Sequence, residues 1–249
     1  MTIPPAPPIA DRDTWLRERN ELLVREKQHT REGDTIAAAR RRLPMTEVDG
    51  SIQLTGASGP TPLREIFAGR DELVVYKHMF HPGKPLPDQC EGCTISLWGV
   101  QDTSYLNAVG ITFAVFAEGP YDEIAALRDF MGYPHPWYSN HAIDDPAVAG
   151  GGVYACFLRR DDRVYLTYET TNRGVETAIP TLKLLDLTAY GRREQWEDSP
   201  EGWPQEPTYS FWRTDAQGNR VGLGQGRPTP QWTRPNVTSA TSQTPHHCH

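Results

Sequence analysis

The sequence predicts an α/β fold, a central mixed sheet flanked by helices, with a helical extension before it and an irregular segment after it. Three observations carry that prediction. Two continuous apolar runs, Leu73-Val74-Val75-Tyr76 and Ile111-Thr112-Phe113-Ala114-Val115-Phe116-Ala117, are bounded by charged or glycine residues. Such runs mark strands buried on both faces of a helix-covered sheet. Segments with apolar residues at helical spacing follow each run. Finally, Val153–Leu158 and Arg163–Tyr168 flank the polar stretch Arg159-Arg160-Asp161-Asp162, which predicts a hairpin with a four-residue turn.

Taken in order, residues 1–10 are proline-rich and apolar without periodicity, and predict an extended arm. From Asp11 to Arg42 the composition becomes helical, with Thr14 as a cap and Trp15, Leu16, Leu22 and Leu23 as an intermittent apolar stripe. Gly33-Asp34 predicts an interruption and Pro44 an end, so a helix or helix pair should lie on the surface of the core. Residues 49–69 read as turns and a short helix beginning near Pro62. Between the two buried strands, Ile95, Trp98, Tyr105, Leu106 and Val109 predict one helix, with Asp102 as a polar intruder. Pro120 suits the first turn of the next helix, whose inner face is Ile124, Leu127 and Met131. A strand–helix–strand order implies a parallel pair joined by a right-handed crossover. Val175, Ile179, Leu182 and Leu185 predict a last helix, which must begin just before Pro180.

The resulting order, β-α-β-α-β-β-α, is that of the thioredoxin fold. The predicted organisation is an arm and helix over 1–48, a thioredoxin-like domain over 49–190, and a Trp/Pro-rich segment over 191–234. In that segment Trp196, Trp203, Trp212 and Trp232 are expected to pack back on the core. Residues 235–249 are expected to be a disordered tail.

A net charge of -7 argues against a nucleic-acid binder, which would show a basic face. The cluster Arg40-Arg41-Arg42 reads as the solvated end of a helix. No apolar stretch approaches the ~18 residues of a membrane helix, and the first residues carry neither a basic nor an apolar signal region. The expectation is therefore a cytoplasmic protein with no membrane or nucleic-acid partner. No glycine-rich phosphate loop follows a strand, and the sequon at Asn236 has no role without secretion.

Chemistry points to the cysteines. Cys90-Glu91-Gly92-Cys93 lies between the first buried strand and the helix after it. A C-x-x-C at the entry of a βαβ unit is a redox signal. The helix N-terminus offers unpaired N–H groups and a partial positive charge, both of which favour a thiolate. Cys90 is accordingly expected to attack and Cys93 to resolve, forming a redox-active disulfide. Cys156 reads as a small core residue.

A second reading uses the approach to that pair. His78 and His81 form an H-x-x-H, followed by eight residues and then the C-x-x-C. His78, His81, Cys90 and Cys93 could therefore close around copper or zinc. The plainer alternative has His78 capping the strand and His81 in solvent, with Met79 a core residue and not a thioether ligand. His135 and His141 follow the second helix, in a loop that this topology is expected to run toward the dithiol. A surface role is expected for each, with a proton carrier or, for His135, an extra ligand as the sharper option. The terminal His246-His247-Cys248-His249 is a weaker metal candidate.

Several motifs in the same order resemble a bacterial thioredoxin-like family of unknown function, described as predicted dithiol–disulfide oxidoreductases. They are Glu26-Lys27, Thr30-Arg31, Asp34, Ala37 and Arg40-Arg41-Arg42-Leu43-Pro44-Met45 near the N-terminus, then Leu73–Tyr76 before the C-x-x-C. Tyr105-Leu106-Asn107-Ala108, Met131-Gly132, Pro136-Trp137-Tyr138-Ser139, Leu184-Leu185-Asp186-Leu187-Thr188 and Gly191-Arg192 complete the set. The resemblance covers roughly residues 11–195 and implies a thioredoxin fold with Cys90 and Cys93 as the reactive pair. Two departures stand out. Family members often carry an apolar residue where His135 stands. Thioredoxins also place a cis-proline before the third strand, facing the dithiol, where this chain has Gly151-Gly152 and its nearest upstream proline is Pro146.

The leading expectation is thus an oxidoreductase exchanging electrons through Cys90 and Cys93 with a thiol or disulfide substrate, small molecule or protein, and needing no cofactor. A copper- or zinc-binding protein or oxidase is the alternative. A scaffold that binds a partner through its tryptophan-rich segment is the third.

Overall fold

The computed structural model describes residues 5–86, 89–194 and 196–205. Among them, eight strands form one sheet in the order β1-β8-β7-β4-β5-β6-β2-β3. The central strands are β4 (Glu72–His78) and β5 (Ile111–Ala117), paired in parallel from Glu72↔Ile111 to His78↔Ala117. On the far side of β4 lies the antiparallel hairpin of β7 (Val153–Arg160) and β8 (Arg163–Thr171). The parallel pair and its flanking antiparallel hairpin are those the sequence predicts.

The hairpin is tighter than expected. Only Asp161 and Asp162 form the turn, both at positive φ (49° and 62°), the left-handed pair of a two-residue connection. The flanking arginines belong to the strands.

Four further strands complete the sheet. β1 (Thr46–Val48) pairs with β8, so the sheet begins before residue 49. β2 (Gln53–Gly56) and β3 (Gly59–Pro62) form a hairpin where only turns were expected. β6 (Trp137–Ser139) lies parallel to β5 and touches β2 at Thr55↔Ser139. These strands have three or four residues, too few for an alternation pattern to show in sequence.

Strand alternation on β4 divides the core. Tyr76 faces one side with Cys93, Ile95, Leu97, Ile124, Leu127 and Trp137. Leu73 and Val75 face the other with Leu54, Leu63, Ile66, Phe67 and Phe157. The first side is covered by α2 (Glu91–Trp98), α4 (Tyr121–Met131) and α5 (Pro180–Asp186). α4 presents Ile124, Leu127 and Met131 as predicted, and ends at Gly132 in the left-handed conformation that caps helices. Pro120 sits at its N-cap, one position earlier than expected. The single helix expected over 95–109 is two, α2 and the short α3 (Ser104–Ala108), because the chain turns at Gly99 directly against the ring of Pro180.

α1 (Arg12–Arg40) is continuous through Gly33-Asp34 and buries no residue along 29 positions. Gly33 meets nothing within 4 Å, so the glycine costs only its helix propensity of about 1 kcal/mol. Asp11, and not Thr14, is the cap: its carboxylate accepts the Thr14 N–H at 2.8 Å.

The C-terminal segment is anchored by charge. Arg192 donates to Glu176 at 2.9 Å and to both Asp186 oxygens at 2.6 and 2.8 Å, with its side chain only 6% exposed. Trp203 meets Tyr190 edge-on at 5.2 Å, whereas Trp196 remains 43% exposed beneath the guanidinium of Arg173. Trp212, Trp232 and the histidine tail lie outside the described residues.

Burial raises the Glu176 carboxyl, but hydrogen bonds and charge from Arg192 and Arg173 outweigh it and hold the group below its ordinary range. A depressed carboxyl contributes stability above its ordinary pKa and loses it as pH falls through the folded value. Glu176→Gln should therefore lower stability in urea at neutral pH by about 3 kcal/mol, because it leaves Arg192 short of a buried partner. The gap to wild type should shrink in acid, and a gap that widened there would contradict the assignment.

Candidate functional site

The site forms where β4 ends and α2 begins. Cys90 is the N-cap residue of α2, half-buried, and its carbonyl accepts both the N–H (3.0 Å) and the hydroxyl (2.9 Å) of Thr94. Cys93, one turn on, is fully buried. Its sulfur accepts the backbone N–H of Met79 at 3.3 Å, which ties the end of the strand to the helix. Burial, the most strongly acting cause, and the neighbouring Cys90 push the Cys93 thiol well above its ordinary range. The hydroxyl of Tyr76 and the Met79 N–H act in the opposite direction. The two sulfurs thus occupy different environments within one helical turn.

The loop that enters the site is fixed by Gln89, which is buried. Its carbonyl oxygen accepts the His81 N–H at 2.9 Å, and its amide donates to the carbonyls of His81 (3.0 Å) and Lys84 (3.2 Å). Glu123 on α4 accepts the Gly83 N–H at 2.7 Å. Sequence reasoning passes over Gln89, since a glutamine beside a cysteine carries no pattern.

The glycine segment lies on the other side of Met79. A Cβ on Gly151 would sit 2.7–2.9 Å from Cγ, Cα and N of Met79, so only glycine permits this approach. Gly152 donates its N–H to the Lys77 carbonyl at 2.6 Å. The preceding turn is held by Lys77, whose buried ammonium donates to the carbonyls of Pro146 (3.1 Å), Ala147 (3.3 Å) and Ala149 (2.9 Å). Glu118 accepts the Gly150 N–H, and Asn140 donates to the Val148 carbonyl. Residues 151 and 152 are therefore bound in place beside the dithiol, and no cis peptide bond occurs among the described residues.

The histidines separate. His78 is fully buried, 5.3 Å from the Trp137 ring between centroids, and neither ring nitrogen has a hydrogen-bond partner. Burial drives its pKa down to about 3, so the ring is neutral. His81 is exposed, and Met79 is 38% exposed where a core position was expected. Among the described residues no three His, Cys, Asp or Glu side chains converge as a metal site would require. His78, His81, Cys90 and Cys93 are therefore not gathered as three or more converging donors.

His135 is buried and not on the surface, and it sits at the opposite end of the sheet from the dithiol. Its ring packs 4.8 Å from Phe113 and Nε2 meets the Val100 carbonyl beyond the far end of α2. The connection from α4 returns to the N-terminal end of β5 before β6 runs back, so it carries His135 away from the cysteines. His141, after β6, is at the dithiol end and exposed, as expected. Cys156 is half-buried on β7 and lines an apolar cavity of about 300 Å³ with Val74, Tyr154 and Tyr168. Burial raises its thiol to about 11.

No curated protein matches the chain. Among solved structures it is similar to the peroxidoxin BcpB of Mycobacterium tuberculosis, at 16% identity and a TM-score of 0.40 over 57% of this chain and 99% of that one. A peroxiredoxin Q of Xanthomonas campestris matches at 15% identity and 0.35, over 57% of this chain and 96% of its own. A putative thiol:disulfide interchange protein DsbE from Chlorobium tepidum matches at 14% and 0.36, over 55% and 98%. Likenesses of that size add nothing to the strand order and connectivity, which identify the fold as thioredoxin-like. The sequence itself matches the model of a family, bacterial proteins of unknown function (DUF899), over residues 4–217, and the chain belongs to that family.

Proposed function

We propose that the protein is a thiol–disulfide oxidoreductase in which Cys90 attacks and Cys93 resolves. The observation that carries this reading is the asymmetry of the pair: Cys90 half-buried at a helix N-cap, Cys93 sealed beneath it with a raised thiol pKa. A helix N-terminus favours the thiolate of the first residue, and burial keeps the second protonated until it is needed. The Cys90 thiolate attacks a substrate disulfide, forms a mixed disulfide and releases one thiol. Cys93 then loses its proton and displaces the second thiol. The protein gains an internal disulfide and the substrate gains two electrons. A small thiol or a partner dithiol reverses the sequence and restores the reduced pair.

The metal reading retains one supporting feature, the neutral, unpartnered imidazole of His78, which is the form that ligates metals. The scattered placement of the other donors counts against it.

Cys90→Ser should abolish disulfide reduction, and Cys93→Ser should accumulate a mixed disulfide seen as a mass adduct. Protein purified without chelator should hold far less than one copper or zinc per chain. Stoichiometric metal lost in His78→Ala, together with absent reductase activity, would replace this reading by the metal one.

The raised Cys93 thiol sets the sign of the pH response. Its thiolate is scarce at neutral pH, so ring closure should accelerate by about tenfold per pH unit on the alkaline side of neutrality. Stopped-flow measurement of the second step checks this, and a rate falling with pH would contradict it.

A further inference from the structure

We propose that Tyr76 is a catalytic residue of the resolving step, its hydroxyl and the Met79 N–H together forming a two-donor pocket for the negative charge on the Cys93 sulfur. The proposal rests on the dithiol reading above and extends it to a residue in the middle of a buried strand.

Tyr76 lies on β4, three residues before Met79, and is fully buried on the same sheet face as Cys93. Its hydroxyl meets no partner at regular hydrogen-bond geometry, which is rare for a buried polar atom, but the side chains of Cys93 and Ser96 lie close enough to act on it. The neighbouring Tyr154, 4.6 Å away between ring centroids, differs: its hydroxyl donates to the Ser96 carbonyl at 3.2 Å. Phenylalanine would fill the place of Tyr76 without stranding an oxygen, so packing alone does not account for the hydroxyl. After burial itself, the charge of Cys93 is the strongest influence on the Tyr76 hydroxyl. Ser96, which also acts on it, already donates its own proton to the Gly92 carbonyl at 2.9 Å.

The chemistry needs such a donor at one moment. In the mixed disulfide, Cys93 gives its proton to solvent base and becomes a buried anion before it attacks the Cys90 sulfur. Met79 already supplies one N–H at 3.3 Å. A hydroxyl that donates to the sulfur as charge appears supplies the second. The Cys93–Cys90 bond then forms, the bond from Cys90 to the substrate breaks, and the charge leaves with the substrate thiolate. Burial holds Tyr76 protonated throughout, so it donates a hydrogen bond and never the proton itself. The titratable side chains that act on Cys93 from the packed elements are Cys90, Tyr76 and Tyr154.

The test mixes reduced full-length protein with 5,5′-dithiobis(2-nitrobenzoate) and follows release of the coloured thiolate. The first release reports attack by Cys90 and the second reports ring closure by Cys93. Tyr76→Phe should slow the second release at least about tenfold and change the first by less than about twofold. Tyr154→Phe should leave both within about twofold. A folded Tyr76→Phe protein with an unchanged second release overturns the proposal while the dithiol reading stands. A wild-type trace with no second release overturns both. Should Tyr76→Phe fail to fold, a fluorinated tyrosine at position 76 keeps the ring and strengthens the donor. It should speed the second release, and an unchanged rate would overturn the proposal.

Discussion

The site depends on one contact, the hydrogen bond from the Met79 N–H to the Cys93 sulfur. It joins the residue just past the central strand to the first turn of the helix that follows. Everything around it works to hold those two ends together. Gln89 gathers the connecting loop by three hydrogen bonds, and Phe80 fills the space against Gly119. On the opposite side, Gly151 lets the chain before β7 approach the Met79 backbone more closely than any side chain would allow. Lys77 fixes the turn from which that segment comes.

From this contact the chemical asymmetry follows. A helix that starts against a strand end must bury the residues of its first turn facing the sheet and leave its N-cap nearer the surface. Cys93 falls in the first class and Cys90 in the second. Burial thereby makes Cys93 a weaker acid than an ordinary thiol. The same burial places Cys93 in one core cluster with Tyr76 and Tyr154.

Much of the scaffold was legible in the chain. Leu73–Tyr76 and Ile111–Ala117 announced buried strands because both faces of a central parallel pair are covered. Elements set by long-range contact were not legible. β6 has three residues and exists because β5 and β2 flank it, and β1 depends on β8. The course of the α4–β6 connection, which takes His135 to the far end of the sheet, is a property of direction and not of local sequence. Nor does spacing reveal that His78 turns inward beside Trp137 while His81 turns out, so the H-x-x-H and C-x-x-C do not converge as three or more donors among the described residues. Gln89 and Tyr76 escaped notice for a related reason, since each matters only through what the fold brings against it.

The most direct measurement of the central claim is thiol alkylation of the reduced native protein, followed by peptide mass spectrometry. Cys90 should be modified at least about tenfold faster than Cys93 at neutral pH, because one residue is only half-buried at a helix N-cap and the other is sealed with a raised pKa. Modification of Cys93 first, or of both at equal rates, would contradict the account.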